Sequence, residues 1–154
     1  MRPVSLVAWL LFAIFATTAH GLAQVAAQVG DHYEAYTALK TCTISNCNLS
    51  FPRFDGPGIL LIEEVSCRAS SETTIPDAQF GPTSSPESYA GNKRAFFTAT
   101  SNPSSSSSLY TTFHATPSML MAANRYLTMN FFVNSKTGIF YTYISCAMAG
   151  RVLQ

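Results

Sequence analysis

Residues 59–68, ILLIEEVSCR, constrain this chain more than any other stretch. They form its densest aliphatic run outside the N-terminal leader. Gly56, Pro57 and Gly58 precede the run and a Ser/Thr/Pro tract follows it. An apolar run bounded by turn residues predicts a central β-strand. Its phase is inconsistent, however. In a regular strand Ile59, Leu61, Glu63, Val65 and Cys67 share a face, which points Glu63 at the core, and a buried bare carboxylate is costly. A β-bulge at Glu63–Glu64 resets the phase, so that Leu60, Ile62, Val65 and Cys67 all point inward. The alternative is a strand buried on both faces near its start, with Glu63 at the sheet rim. The carboxylate cost favours the bulge. Neighbouring strand residues face opposite sides, so without a bulge Glu63 and Glu64 cannot serve as a paired-carboxylate active site.

The chain opens with Arg2, an apolar run over residues 4–16, and small residues beyond it. This is the pattern of a secretory signal peptide, with cleavage expected after Ala19, Ala23 or Ala27, and the run is short for a membrane span. We therefore divide the chain into a signal peptide over residues 1–23 and a single domain over 24–154. About 130 residues suffice for one domain with a real core. No stable membrane span is expected after cleavage. Acidic and basic residues number 8 and 9, with no basic stripe among them, so nucleic acid is not an expected partner.

All four cysteines, Cys42, Cys47, Cys67 and Cys146, lie in the exported part. An even number in an oxidising compartment reads as disulfides. Cys42 and Cys47 flank a loop of hairpin length, which leaves Cys67 for Cys146. The spacing lacks a paired C-x-x-C and no histidine lies near, so no metal site is expected.

Short alternating segments fill the rest. Residues 28–40 read as an irregular arm or a short first strand, and 39–51 as a hairpin closed by its own disulfide. Residues 70–92 read as a polar loop. Residues 93–100 and 109–115 are expected to pair as a hairpin, with Leu109, Thr111 and Phe113 opposite Tyr110, Thr112 and His114. Residues 117–124 are a strand or a helical turn. Leu127, Met129, Phe131 and Val133 share one face, and residues 134–138 form a hairpin loop. In the last strand, from Ile139, Phe140 to Met148 alternate inward against Tyr141, Tyr143 and Ser145. The expected fold is all-β: a disulfide-stapled antiparallel β-sandwich, jelly-roll-like, of about seven or eight strands.

Several elements together carry a resemblance: Cys42-x4-Cys47, Phe51-Pro52, the run from Leu60 to Val65-Ser66-Cys67, and Ser145-Cys146-x3-Gly150. Their order resembles a group of small exported bacterial proteins. The resemblance covers most of the mature chain and implies a disulfide-stapled sandwich, periplasmic or extracellular. It brings no catalytic residues. Gly150-Arg151-Val152 departs from it, since an aromatic is implied after the glycine.

No G-x-S-x-G, H-E-x-x-H, P-loop or G-x-G-x-x-G motif occurs. We expect no enzyme, no catalytic residues and no cofactor. His114 reads as a surface or sheet-edge residue. Tyr126, Phe132, Tyr141 and Tyr143 are expected on the outer face of one hairpin, where exposed rings form a binding platform for carbohydrate or protein. The alternative is that they form cross-strand pairs or lie under the 70–92 loop. Asn48-Leu49-Ser50 is a glycosylation sequon in a eukaryotic secretory pathway. The expected function is a non-catalytic exported binding module, with a structural or cell-envelope assembly component as the alternative.

Overall fold

The computed structural model describes residues 24–86, 88, 94–103, 109–134 and 141–154. The expected leader and the 134–138 loop beyond Asn134 lie outside the described residues, as do Ile139 and Phe140. The described chain is all-β. Its strands are β1 (Val25–Val29), β2 (His32–Tyr36), β3 (Lys40–Cys42), β4 (Asn46–Ser50), β5 (Ile59–Ser71), β6 (Asp77–Thr83), β7 (Ala95–Phe96), β8 (Thr98–Pro103), β9 (Leu109–Ala115), β10 (Met119–Ala122), β11 (Tyr126–Phe132) and β12 (Thr142–Leu153).

The strands form two antiparallel sheets. The large sheet has eight strands, in the order β1-β2-β12-β5-β9-β8, with β3 also on β12 and β10 also on β5. The two longest strands, β5 and β12, lie side by side along nearly their whole length. β2 and β3 run one after the other along the outer edge of β12, and β9 and β10 do the same along β5. The small sheet has four strands in the order β4-β11-β6-β7. The core between the sheets is apolar. Leu60, Ile62, Val65, Phe113, Met121 and Ile144 enter it from the large sheet, and Leu49, Phe80, Leu127, Met129 and Phe131 from the small one. Phe97 packs against Phe80, Phe113 and Phe131, with ring centroids 4.7, 5.9 and 6.1 Å away.

The phase conflict in β5 is resolved by the expected bulge. Ala149 lies opposite Glu64 and Gly150 opposite Ile62, so Glu63 is the unmatched residue. Leu60, Ile62, Val65 and Cys67 are all buried as a result. Glu63 is turned out to Arg151, whose Nε and Nη2 donate to Oε1 at 2.9 and 2.6 Å. The arginine that departs from the resemblance is therefore the partner of the bulged carboxylate. Close approach of the backbones at the bulge explains Gly150, because a Cβ there would run into the Leu61 carbonyl oxygen.

Both disulfides have the expected pairing, but their places differ from a simple staple. Cys67 and Cys146 are register partners on adjacent strands of the large sheet, with Cα atoms 4.1 Å apart. Cys42 and Cys47, with Cα atoms 5.8 Å apart, join β3 of the large sheet to β4 of the small one. The expected 39–51 hairpin is thus corrected: its two arms belong to different sheets, and the short disulfide ties the sheets together at one corner. Two disulfides place the folded chain in an oxidising environment.

Other expectations are corrected too. Residues 28–40, expected as an irregular arm or a short first strand, contribute to three strands. The expected 70–92 loop contains the end of β5 and all of β6, whose Ala78 and Phe80 are core residues. The expected strand at 93–100 crosses between sheets at Phe97: β7 joins the small sheet, and β8 pairs with β9 as expected. Of the two readings of residues 117–124, the strand holds, over residues 119–122. These splits raise the strand number from the expected seven or eight to twelve among the described residues.

Candidate binding face

Strand alternation gives each sheet an outer face, and the two are finished differently. On the small sheet, Thr128 Oγ1 lies 2.9 Å from Ser50 Oγ and 2.8 Å from Thr83 Oγ1. Ser50 and Thr83 donate onward to the carbonyls of Pro86 and Ser85, which places the 84–86 segment over them. Asn130 Nδ2 donates to Asn48 Oδ1 at 2.9 Å, and Arg94 Nη1 to Gln79 Oε1 at 3.1 Å. This outer face is polar but largely buried and internally satisfied. The sequon side chains Asn48 and Ser50 are both engaged in it.

Among the described residues, the outer face of the large sheet is open. Its middle is floored by small outward residues, Ser145, Ala147 and Ala149 of β12 and Ser66 and Ser70 of β5. Larger side chains rise around them in rows set by the register. The first row is Glu34–Ala149–Glu64, and the second Tyr36–Ala147–Ser66–His114. The third is Ser145–Arg68–Thr112, and the fourth Tyr143–Ser70–Tyr110. Rows two residues apart are separated by about 6.8 Å, so the four span roughly 20 Å. The result is a shallow trough. Two depressions in it, of about 270 and 120 Å³, share Tyr36, Ser66 and Ala147. The larger reaches Arg68 and Ser145; the smaller reaches Glu34 and Glu64.

Hydrogen bonds orient the walls. Glu34 lies between its strand neighbours on the same face: His32 Nε2 is 3.0 Å from Oε1, and Tyr36 Oη donates to Oε2 at 3.2 Å. These bonds, from His32 and then Tyr36, hold the Glu34 carboxyl below its ordinary pKa. The Glu34 charge, and then the shared hydrogen bond, raise that of Tyr36. Across the trough, Glu64 Oε1 lies 3.7 Å from His114 Nδ1. Glu63 and Glu64 thus turn to opposite neighbours, Arg151 and His114, and do not form a carboxylate pair with each other.

The four aromatics expected on one hairpin face do not come together. β11 and β12 lie in different sheets and are not paired, which corrects the hairpin. Tyr126 and Phe132, at the ends of β11, are half-buried on the small sheet. Tyr141 and Tyr143 are exposed on the large-sheet side, and Tyr143 closes the fourth row of the trough. The rings that share that face with it are Tyr36 and Tyr110. Tyr110 was visible in the alternation of 109–115. Tyr36 was hidden because 28–40 reads as irregular, although Tyr33 and Ala35 alternate there against His32, Glu34 and Tyr36. His114 is exposed, as expected of a surface residue, but sits within the sheet rather than at its edge.

No protein-family model, curated protein or solved structure matches this chain.

Proposed function

We propose that the protein is a non-catalytic exported binding module whose large-sheet outer face takes an extended carbohydrate. One observation carries the reading. Tyr36, Tyr110 and Tyr143 stand exposed around a trough floored by serine and alanine. Aromatic faces offer apolar stacking area with a polar tip, and the small floor leaves room for a ligand between them. Arg68, Glu34 and Glu64 supply donors and acceptors along the same line. The resemblance to small exported bacterial proteins and the leader-like N-terminus support a periplasmic or extracellular location. Gln24 Nε2 donates to the Ser50 carbonyl at 3.0 Å, and β1 begins at Val25. Cleavage after Ala19 or Ala23 leaves β1 whole, whereas cleavage after Ala27 divides it. N-terminal sequencing of exported protein is expected to start at His20 or Gln24; a start at Met1 contradicts export.

The test of binding is a glycan array followed by calorimetric titration of each hit. Tyr36→Ala and Tyr143→Ala are expected to keep the melting temperature and to weaken binding about tenfold or more, the scale of a lost stacking contact. Failure of every glycan to bind, or unchanged affinity in both variants, overturns the reading.

One observation favours the alternative, an assembly component. β1 is an edge strand, VAAQV, exposed along its whole length and without a charge. Uncharged edges accept further strands. Concentration-dependent association that Ala27→Lys abolishes is the expected behaviour under that reading.

A further inference from the structure

The trough is chemically unequal along its length, and this difference names a ligand class. Resting on the binding-module reading above, we infer that the trough selects a glycan bearing free amino groups, a hexosamine oligomer that is not N-acetylated.

The first row carries the argument. Glu34 and Glu64 are both in register with Ala149, one on either side of it. Two strand spacings put their backbones about 9–10 Å apart, and both side chains rise over the same methyl group. Both carboxylates line the same depression, beside Tyr36. Like charges facing one opening repel each other, and a cation between them relieves that repulsion. Among the described residues, the sheet supplies no guanidinium to this row. Arg151, the nearest along β12, is bonded to Glu63 through both Nε and Nη2. Arg68 stands two rows away, about 13–14 Å along the strand. His32, two residues before Glu34 on β2, and His114, on β9, each lie beside one carboxylate, and neither lines the depression the two carboxylates share.

Tyr36 makes the opening suit a ring rather than a bare ion. It follows Glu34 on the same strand face, donates to it, and is half exposed over Ala147 and Ser66. A sugar ring stacked on Tyr36 brings a ring substituent to the Glu34–Glu64 row. An ammonium there meets two carboxylates, whereas an acetamido group brings no charge and adds bulk. Cation recognition beside an aromatic face follows the same electrostatics. Arg68 and Ser145, at the next rows, remain for hydroxyl and ring oxygens.

The experiment is calorimetric titration of the full exported protein at pH 7.5 and low salt with three probes of equal length. These are a glucosamine hexamer, its fully N-acetylated form and a neutral glucose hexamer. The glucosamine hexamer is expected to bind at least fivefold more tightly than either of the others. Exposed charge pairs contribute modestly, so Glu34→Gln and Glu64→Gln are each expected to weaken it about three- to fivefold, and to weaken the acetylated hexamer less. Circular dichroism melts of both variants should match the parent. Equal affinity for the amino and acetylated forms overturns this inference and leaves the binding module standing. Unchanged glucosamine affinity in both glutamine variants overturns it as well. Absence of binding to all three probes, with no hit on the array, overturns both readings together.

Discussion

On the outside of the small sheet, Thr128 and Asn130 are 0 % and 1 % exposed; on the outside of the large sheet, Tyr36 and Tyr110 are 50 % and 53 % exposed. Both faces are made by residues that alternate against a core strand, and both are polar or amphipathic in sequence. They differ in what lies over them. Thr128 is the middle of a hydroxyl chain that runs through Ser50 and Thr83 to the carbonyls of Pro86 and Ser85. The polar groups there are satisfied by the protein itself. On the large sheet the side chains hold one another only along their edges, as Glu34 is held by His32 and Tyr36. The floor between them is left to small residues. Polar alternation therefore marks an outer face but does not say whether that face is free to bind. Whether the hydrogen bonds close within the protein decides it.

The largest expected effect concerns what holds the open face in place. Cys67–Cys146 ties the two strands that floor it and closes a loop of sequence separation 79, against 5 for Cys42–Cys47. Loop-closure entropy gives the long bridge about 4–5 kcal/mol and the short one about 2 kcal/mol. Urea unfolding of Cys67→Ser/Cys146→Ser should show the greater loss, with faster proteolysis. An equal or greater loss in Cys42→Ser/Cys47→Ser would make the corner between the sheets, not the β5–β12 pair, the organising element.

Next in size is the difference between the faces themselves. Thr128→Val removes the shared partner of two buried hydroxyls and is expected to cost about 1–3 kcal/mol. Thr112→Val, exposed on the large sheet, is expected to stay within about 0.5 kcal/mol. Comparable losses in the two variants would erase the distinction between a closed and an open face.

The bulge was legible because a single charge broke an otherwise clear period: two residues, Glu63 and Glu64, stood where only one could fit without burying a carboxylate. The disulfide pairing was legible from spacing. What escaped was which strand lies beside which. Alternation assigns a side chain to a face, not a strand to a sheet, so by alternation alone β11 and β12 read as one hairpin that groups Tyr126 and Phe132 with Tyr141 and Tyr143. β6 escaped for a different reason. Its sequence, DAQFGPT, gives the core only Ala78 and Phe80 and carries Gly81 and Pro82, which read as turn signals. Gln79 and Thr83 are buried by the polar layer rather than by apolar packing, and no hydrophobic period reports that.

The smallest expected effect is electrostatic. Hydrogen bonds from His32 and Tyr36 lower the folded-state pKa of Glu34. A carboxylate with a lowered folded pKa contributes stability above its unfolded pKa and loses it as the pH falls through the folded value. Carbon-detected NMR titration should therefore place the Glu34 midpoint below that of an unstructured glutamate. Tyr36→Phe should move it back upward in part. A midpoint unmoved by that change would remove Tyr36 from the support of the first row.

The free face is tested most directly by hydroxyl-radical footprinting of the disulfide-bonded protein, alone and with saturating glucosamine hexamer. Tyr36, Tyr110 and Tyr143 are expected to react readily in the free protein and Tyr33, 5 % exposed, to resist. With the oligomer present, Tyr36 and Tyr143 should become protected while Tyr126 and Phe132 keep their reactivity. Unreactive Tyr36 and Tyr143 in the free protein, or protection confined to Tyr126 and Phe132, would contradict the assignment of the binding face to the large sheet.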